Sequence, residues 1–212
     1  MPKRIGVTMR VIHAPDTMEP RDCLAHDWVA FLANLPEIQW LPLPNLGAAV
    51  VNYARQWKLE GFILSGGNNL GEDPLRDETE RTILKHALQE NLPVFGVAHG
   101  LQLIQQFFGG RLQKCQKEAH VGVEHEVRLA FEPGRWLAPV PVRTVNSNHT
   151  QGVAVDQIAR PLAAFAITWD GWAEGIAHRE APIAAVQWQP ERMRPPRKQD
   201  LILIRRVLDL AA

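Results

Sequence analysis

The sequence is short of cysteine, of net charge and of long hydrophobic runs, and each shortage excludes a class of protein. Two cysteines among 212 residues are too few for a disulfide-stapled fold, and Cys23 and Cys115 do not form a zinc-type pair. Lys+Arg and Asp+Glu both number 23, so we expect no general attraction to nucleic acid or anionic lipid. No apolar stretch predicts a membrane span or a signal peptide. We therefore predict a cytoplasmic protein without metal, cofactor, nucleic-acid partner or membrane partner.

Short apolar runs alternate with longer helical patterns over residues 4–110. This β-α-β-α order predicts a mainly parallel central sheet with helices on both faces, a three-layer α/β/α sandwich. Later strands, spaced by Gly, Pro and Asp, predict a mixed or antiparallel part, and all of this fits one domain over residues 1–212. The predicted strands are 4–9, 38–44, 60–67, 93–98, 125–131, 142–146, 163–169 and 183–188, and the helices are 22–35, 50–57, 76–92, 99–110 and 198–212.

The stretch "PVFGVAHGLQLIQ", residues 93–105, predicts a strand that passes through a tight turn into a helix. Gly96 and Gly100 bracket the apex residue, Ala98. In this pattern the apex normally carries a nucleophile, and the backbone N–H groups at the start of the helix stabilise an oxyanion. The glycines also fit a simpler interpretation, a tight turn that only allows close packing.

Three further stretches carry polar or glycine-rich patterns. Gly66 and Gly67 lie in "LSGGNNLG" after a predicted strand, where consecutive glycines can point N–H groups at a ligand. The stretch "VNSNHTQGV" over 145–153 clusters donors and acceptors, and "AVQWQPER" over 185–192 ends another strand. Each alone also fits an ordinary loop. Parallel strands would bring the elbow and the glycine loop to the same edge of the sheet.

Taken together, these stretches resemble the class I glutamine amidotransferase-like superfamily, and within it the γ-glutamyl hydrolases that include γ-glutamyl-γ-aminobutyrate hydrolase. The family motifs Gly-x-Cys-x-Gly-x-Gln, Val-Asn-Ser-x-His-x-Gln, Asp-Gly-x-x-Glu and Gln-Phe/Trp-His-Pro-Glu correspond here to "GVAHGLQ", "VNSNHTQ", "DGWAEGI" and "QWQPE". The resemblance covers nearly the whole chain and implies a flavodoxin-like three-layer fold. The N-terminal part is more distantly similar to hydrolases of γ-glutamyl-CDP-amidate.

The chain departs from the family at the reacting positions. In the family a cysteine attacks the γ-carbonyl, a histidine moves the proton, and a glutamate orients that histidine. The resemblance places Ala98 at the cysteine position and Gln189 at the histidine position, and only Glu191 is retained. Alanine has no atom that could form an acyl-enzyme, and glutamine does not titrate, so neither can replace the original residue.

Three explanations of these departures stay open at this point. Ala98 is an engineered substitution that traps substrate, or the chemistry has moved to other residues, or the protein is a pseudoenzyme that uses its crevice for binding or regulation. We favour the last, because the two departures occur together. Relocated chemistry would need Cys115 as the thiol, which the resemblance places away from the elbow. It would also need a new base from His99, His120, His125 and His149.

The resemblance also implies which residues bind a ligand. Gly67, beside Gly66, and His99 would supply the backbone N–H groups of the oxyanion hole, and Gln102 would contact the glutamyl end. Arg10, after the first strand, would reach a distal group. The implied ligand is glutamine or another γ-glutamyl compound, and the implied protein partners are a synthetase and a second copy in a homodimer. The opposite wall of the crevice would be formed by Asn146, Ser147, His149 and Gln151.

Overall fold

The structure, a computed structural model, describes residues 1–129 and 142–210. Strands and helices alternate through the first half, as predicted. The helices are α1 His26–Leu32, α2 Val50–Gln56, α3 Pro74–Glu90, α4 His99–Phe107, α5 Lys117–His120 and α6 Lys198–Val207. The strands are β1 Lys3–Thr8, β2 Arg10–His13, β3 Pro20–Cys23, β4 Ile38–Leu43, β5 Gly61–Leu64, β6 Val94–Val97, β7 Gln113–Lys114, β8 Val121–Leu129, β9 Val142–Asn148, β10 Gln151–Ala154, β11 Leu162–Thr168, β12 Trp172–His178 and β13 Ile183–Val186.

The central sheet has the strand order β4-β1-β5-β6-β13-β12-β11-β8-β9. The pairs from β4 to β13 are parallel, and those from β13 to β9 are antiparallel. The predicted α/β class, with a parallel part followed by an antiparallel part, is therefore confirmed. The extra strand β10 pairs with β12 and β7, and β2 with β3 forms a separate hairpin.

The parallel strands are buried on both faces, so each sends alternate residues into two different cores. In β5, Ile63 packs into the core beneath α1 and α6, while Phe62 and Leu64 pack into the core beneath α3 and α4. All three side chains are fully buried. This two-sided burial explains why these strands are continuous apolar runs rather than alternating patterns.

The structure differs from the prediction in a few elements. Residues 22 and 23 were predicted to be helical but end β3, because Cys23 pairs with Arg10 and the Asp22 carboxylate accepts a 2.8 Å hydrogen bond from the Asn45 N–H. The hairpin β2–β3 and the strand β12 were not predicted. Residues 130–131 and 211–212, expected at the ends of a strand and a helix, lie outside the described residues. Over 1–129 and 142–210, we find no helix whose length and hydropathy would let it cross a membrane.

Candidate functional site

Three neighbouring parallel strands end at one edge of the sheet and place the predicted stretches together. Leu64 pairs with Gly96, and Val186 pairs with Val97. The glycine loop follows β5, the elbow follows β6, and the "QWQPE" segment follows β13. Since the carboxyl ends of parallel strands meet at the same edge, these segments meet there too. A Cβ built on Gly66 would lie 3.5 Å from both the Ala98 Cβ and the Gln189 Nε2.

The elbow has the strained backbone of a nucleophile turn. Ala98 has φ 49° and ψ −100°, and its N–H donates a 2.8 Å hydrogen bond to the Val186 carbonyl. Gly100 must be glycine, since a Cβ there would lie 2.5 Å from the Leu64 carbonyl oxygen. A Cβ on Gly96 would lie 2.8 Å from the Ile104 side chain. The glycines thus serve close packing, and the apex presents a methyl group to the cleft, which has no atom that can act as a nucleophile.

The strain at Ala98 gives a testable stability effect. Ala98→Gly should raise the free energy of unfolding by about 1 kcal/mol, because glycine adopts positive φ without the cost that alanine bears. Ala54→Gly, at a buried position of α2, is the matched control and should lower it by about 1 kcal/mol. Urea unfolding of both variants shows whether each substitution raises or lowers the free energy of unfolding. Destabilisation by Ala98→Gly would contradict a strained elbow.

A buried ion pair fixes the glycine loop. Arg76 and Glu80 lie one turn apart on α3, and both side chains are fully buried at 3.2 Å from each other. Arg76 donates a 2.6 Å hydrogen bond to the Ser65 carbonyl, and the Thr8 hydroxyl donates one of 2.6 Å to Glu80. Although burial opposes ionisation, Arg76 and His99 lower the pKa of Glu80 to about 2. Glu80 therefore stays a carboxylate and the loop stays anchored.

The same network holds the first residue of the elbow helix. The His99 ring is buried, with its Nε2 at 2.9 Å from Glu80 Oε2 and its Nδ1 at 2.8 Å from the Asn68 carbonyl. The His99 ring therefore points toward α3. His99 also lines the cleft, and the oxyanion-hole role of its backbone N–H stays a prediction.

Alternation along "QWQPE" puts Gln187 and Gln189 on one side and Trp188 on the other. Trp188 is buried in the core and donates a 3.1 Å hydrogen bond from its Nε1 to Asp200. The Asn146 side-chain amide holds the Gln189 backbone at both its N–H and its carbonyl, each at 2.8 Å. Gln187 is buried, and both atoms of its amide lack a hydrogen-bond partner within the described ranges.

These segments enclose a cleft of about 240 Å³. Half of its lining residues were predicted from the sequence: Gly67, Ala98, His99, Gln102, His149 and Gln189. The others were not predicted: Asn68, Asn69, Val121, Asn148, Thr150 and Gln187. Asn68 and Asn69 directly follow the glycine loop, and Gln187 precedes the base position by two residues. Period-2 alternation along the segment was therefore a signal for Gln187.

Several predicted binding residues lie behind the cleft rather than on its wall. Ser147 is buried and donates a 2.8 Å hydrogen bond to the His120 carbonyl. Gln151 contributes its backbone carbonyl, which accepts a 2.9 Å hydrogen bond from Gln102 Nε2. Arg10 packs on Gly67, where a Cβ would lie 2.6 Å from the Arg10 Cβ. Gly66 and Asn146 are also absent from the cleft lining, and they contact Ala98 and the Gln189 backbone instead.

Glu191, the remaining member of the predicted triad, has one carboxylate oxygen without a partner among the described residues. It is buried in a short turn, Pro190–Arg192, and its Oε2 has no hydrogen-bond partner in the part of the chain that the structure describes. Burial, with contributions from Asp27 and Asp200, raises the pKa of Glu191 to about 7 against the opposing effect of Arg192. Near pH 7 this buried carboxyl is therefore partly protonated.

A second constellation lies behind the His149 wall. Cys115 Sγ lies 3.7 Å from His149 Nδ1, and His149 Nε2 lies 3.0 Å from Glu174 Oε1. Burial, together with the negative charges of Glu174 and Asp170, raises the pKa of the Cys115 thiol to about 12. His149 Nδ1 also lies 3.0 Å from the Gln151 carbonyl. The thiol is thus neutral and does not line the cleft.

Residues 5–191 match the family model described as peptidase C26. The chain belongs to the peptidase C26 family. It is 27% identical over 194 residues to the γ-glutamyl-CDP-amidate hydrolase of Campylobacter jejuni, an alignment that covers 89% of this chain and 90% of that one. It is 34% identical over 137 residues to the glutamine amidotransferase-like protein YvdE of Lactococcus lactis, covering 56% of this chain and 54% of that one.

One solved structure and one further sequence relative are similar to this peptidase C26 member. The CTPS glutaminase domain of Trypanosoma brucei superposes with a TM-score of 0.71 at 14% identity, covering 99% of this chain and 95% of that one. The carbamoyl phosphate synthase small chain of Helicobacter hepaticus is 26% identical over 166 residues, covering 78% of this chain and 41% of that one. The resemblance drawn from the sequence motifs is confirmed at the level of family and fold.

Proposed function

We propose that this peptidase C26 member binds glutamine or a γ-glutamyl compound without hydrolysing it, as a binding or regulatory pseudoenzyme. The observation that carries the proposal is the elbow, which keeps its strained turn and its flanking glycines while a methyl group occupies the apex. Acyl transfer by this family's chemistry needs a nucleophile at that point and a base beside it. Neither Ala98 nor Gln189 supplies one.

The chemistry of the cleft supports an amide-bearing ligand. Its side chains are mostly neutral amides, and the two unpartnered atoms of the Gln187 amide are one donor and one acceptor. A buried polar atom without a partner costs free energy, which a ligand that completes the hydrogen bonds restores. The amide of a γ-glutamyl group offers both partners that Gln187 lacks.

Hydrolysis through Cys115 is the alternative with a structural basis, because Cys115, His149 and Glu174 follow one another as a thiol, a ring and a carboxylate. The chemistry opposes it. His149 Nδ1, the nitrogen that would accept the thiol proton, lies 3.0 Å from the Gln151 carbonyl and 3.7 Å from Cys115 Sγ, so the carbonyl competes with the thiol for it. The raised pKa of Cys115 also disfavours the reactive thiolate.

A regulatory role implies a partner protein in the cytoplasm, and a synthetase subunit is the partner that we predict. The similarity to a synthase small chain supports this class of partner. Co-purification with the endogenous synthetases of the source cell, in the presence and absence of glutamine, tests it.

Ligand binding is tested by calorimetry with glutamine, γ-glutamyl-GABA and a γ-glutamyl nucleotide amidate. We expect binding without turnover, and Gln187→Leu should weaken it by about tenfold because one or two hydrogen bonds are lost. Gln56→Leu, at an exposed position at the end of α2, is the control and should leave affinity unchanged. Turnover by the unmodified protein that Cys115→Ala removes would overturn the proposal in favour of relocated chemistry, and no binding of any of the three ligands would leave it without support.

A further inference from the structure

Two histidines and one carboxylate form a cluster next to the Cys115–His149–Glu174 group, and none of the three lines the cleft. His120 ends α5, His125 lies in β8, and Glu174 lies in β12. One ligand atom of each lies within 4.8 Å of the others. The His120 and Glu174 side chains are at most 1% exposed, and that of His125 is 14% exposed.

Each of these residues has one polar atom without a hydrogen-bond partner in the described ranges: His120 Nδ1, His125 Nε2 and Glu174 Oε2. His125 Nε2 and Glu174 Oε2 lie 3.4 Å apart without the alignment of a hydrogen bond. Buried polar atoms normally have partners, and three such atoms in one cluster indicate a missing group. A group that accepts two imidazole lone pairs and one carboxylate oxygen is a metal cation.

The opposite atom of every residue is held in place. His120 Nε2 lies 3.0 Å from Asp170 Oδ2, His125 Nδ1 lies 3.4 Å from the Ala119 carbonyl, and Glu174 Oε1 lies 3.0 Å from His149 Nε2. Hydrogen bonds of this kind fix the ring tautomer and leave the other nitrogen as a lone pair for the metal. The partners that a metal site needs outside its ligands are therefore already present.

The backbone between the two histidines is irregular. His120 is the last residue of α5, and β8 begins at Val121. The pairing of β8 with β9 shifts register between Val121 and Val123, and Gly122 there has φ 68°. This irregularity adds one residue to the start of β8, between His120 and the regular part of the strand that holds His125.

We propose that His120 Nδ1, His125 Nε2 and Glu174 Oε2 bind one divalent cation of the zinc class. Imidazole nitrogens with a carboxylate suit Zn²⁺, and arms of about 2.0 Å in a tetrahedron put ligand atoms about 3.3 Å apart. The 3.4 Å between His125 Nε2 and Glu174 Oε2 already matches that spacing. Asp170, whose side chain is 49% exposed, leaves a route from solvent. The ion fixes Glu174, which in turn holds His149 on the cleft wall.

Titration of the chelator-treated full chain with Zn²⁺, followed by calorimetry and elemental analysis, tests the site. We expect one ion per chain and a raised melting temperature. The double variant His120→Gln/His125→Gln should weaken binding at least a hundredfold, and Asp170→Asn about tenfold. His86→Gln, which removes a buried histidine on α3, is the matched control and should bind normally. Undiminished binding by the folded double variant would overturn the proposal.

Spectroscopy of the unmodified protein covers the case in which the double variant does not fold. Co²⁺ should give the visible absorption of a tetrahedral site, and X-ray absorption of the Zn²⁺ form should show nitrogen and oxygen ligands without sulfur. A sulfur ligand would place the ion on Cys115 instead, and the absence of stoichiometric binding of either metal would leave the cluster as a hydrogen-bonded network. Either result would refute the site, whatever the cleft binds.

Discussion

The double variant Ala98→Cys/Gln189→His is expected to hydrolyse a γ-glutamyl amide at least about 10³-fold faster than the unmodified chain, since members of a catalytic triad act as a unit. The turn that presents the apex is intact, and the Asn146 amide already holds the backbone of residue 189. A histidine there would stand two residues before Glu191, which has an unpartnered oxygen. Steady-state release of the leaving amine from γ-glutamyl-GABA measures the gain.

Each single variant is a control, because a thiol without a base and a base without a thiol should both remain near background. Adding Cys115→Ala to the double variant should leave the rate of hydrolysis unchanged. This control separates activity at position 98 from any activity of the native thiol. Adding Glu191→Gln should remove most of the gain, since the new histidine would lose its orienting carboxylate. A folded double variant with no turnover would mean that the cleft no longer fits a γ-glutamyl group.

Glu191→Gln in the unmodified chain should raise the free energy of unfolding at pH 8 by up to about 3 kcal/mol. The pKa of Glu191 rises from its usual 4.5 to about 7 on folding, because burial and the nearby Asp27 and Asp200 outweigh a backbone hydrogen bond and the Arg192 charge, which both lower it. Between these values the folded chain keeps a proton that the unfolded chain has released. Stability therefore falls as the pH rises through this range, and a neutral glutamine removes the loss.

Urea unfolding of both proteins at pH 5, 6, 7 and 8 measures the effect as a difference, so that other titrating groups cancel. The difference should be small near pH 5, should grow through pH 6 and 7, and should level off above the pKa of Glu191. Glu90→Gln removes an exposed carboxylate paired with Arg55 and should change stability by less than about 0.5 kcal/mol at every pH. A pH-independent difference for Glu191→Gln would mean that Glu191 has its ordinary pKa in the folded protein.

Local signals were enough for most of the architecture. The apolar runs of β1, β5 and β6 and the glycines of the elbow follow from backbone and burial rules that act over a few residues. They gave the α/β class and the order of the site segments. The hairpin β2–β3 was not predicted, because each strand has only four residues and β3 is exposed and polar, so the pairing leaves no extended apolar pattern.

The sequence by itself determined that the apex residue is an alanine, that the base position is a glutamine, and that the chain resembles γ-glutamyl hydrolases. Side-chain partners depend on contacts between distant segments, and only the tertiary structure decided these. It buried Glu191 with its Oε2 unpartnered among the described residues, turned the Gln187 amide into the cleft, and used Asn146 to hold a backbone rather than to line a wall. It also brought His120 and His125 beside Glu174, 49 residues further along the chain from His125. No spacing rule predicts that meeting, because the register shift at Gly122 and the position of β12 in the sheet create it.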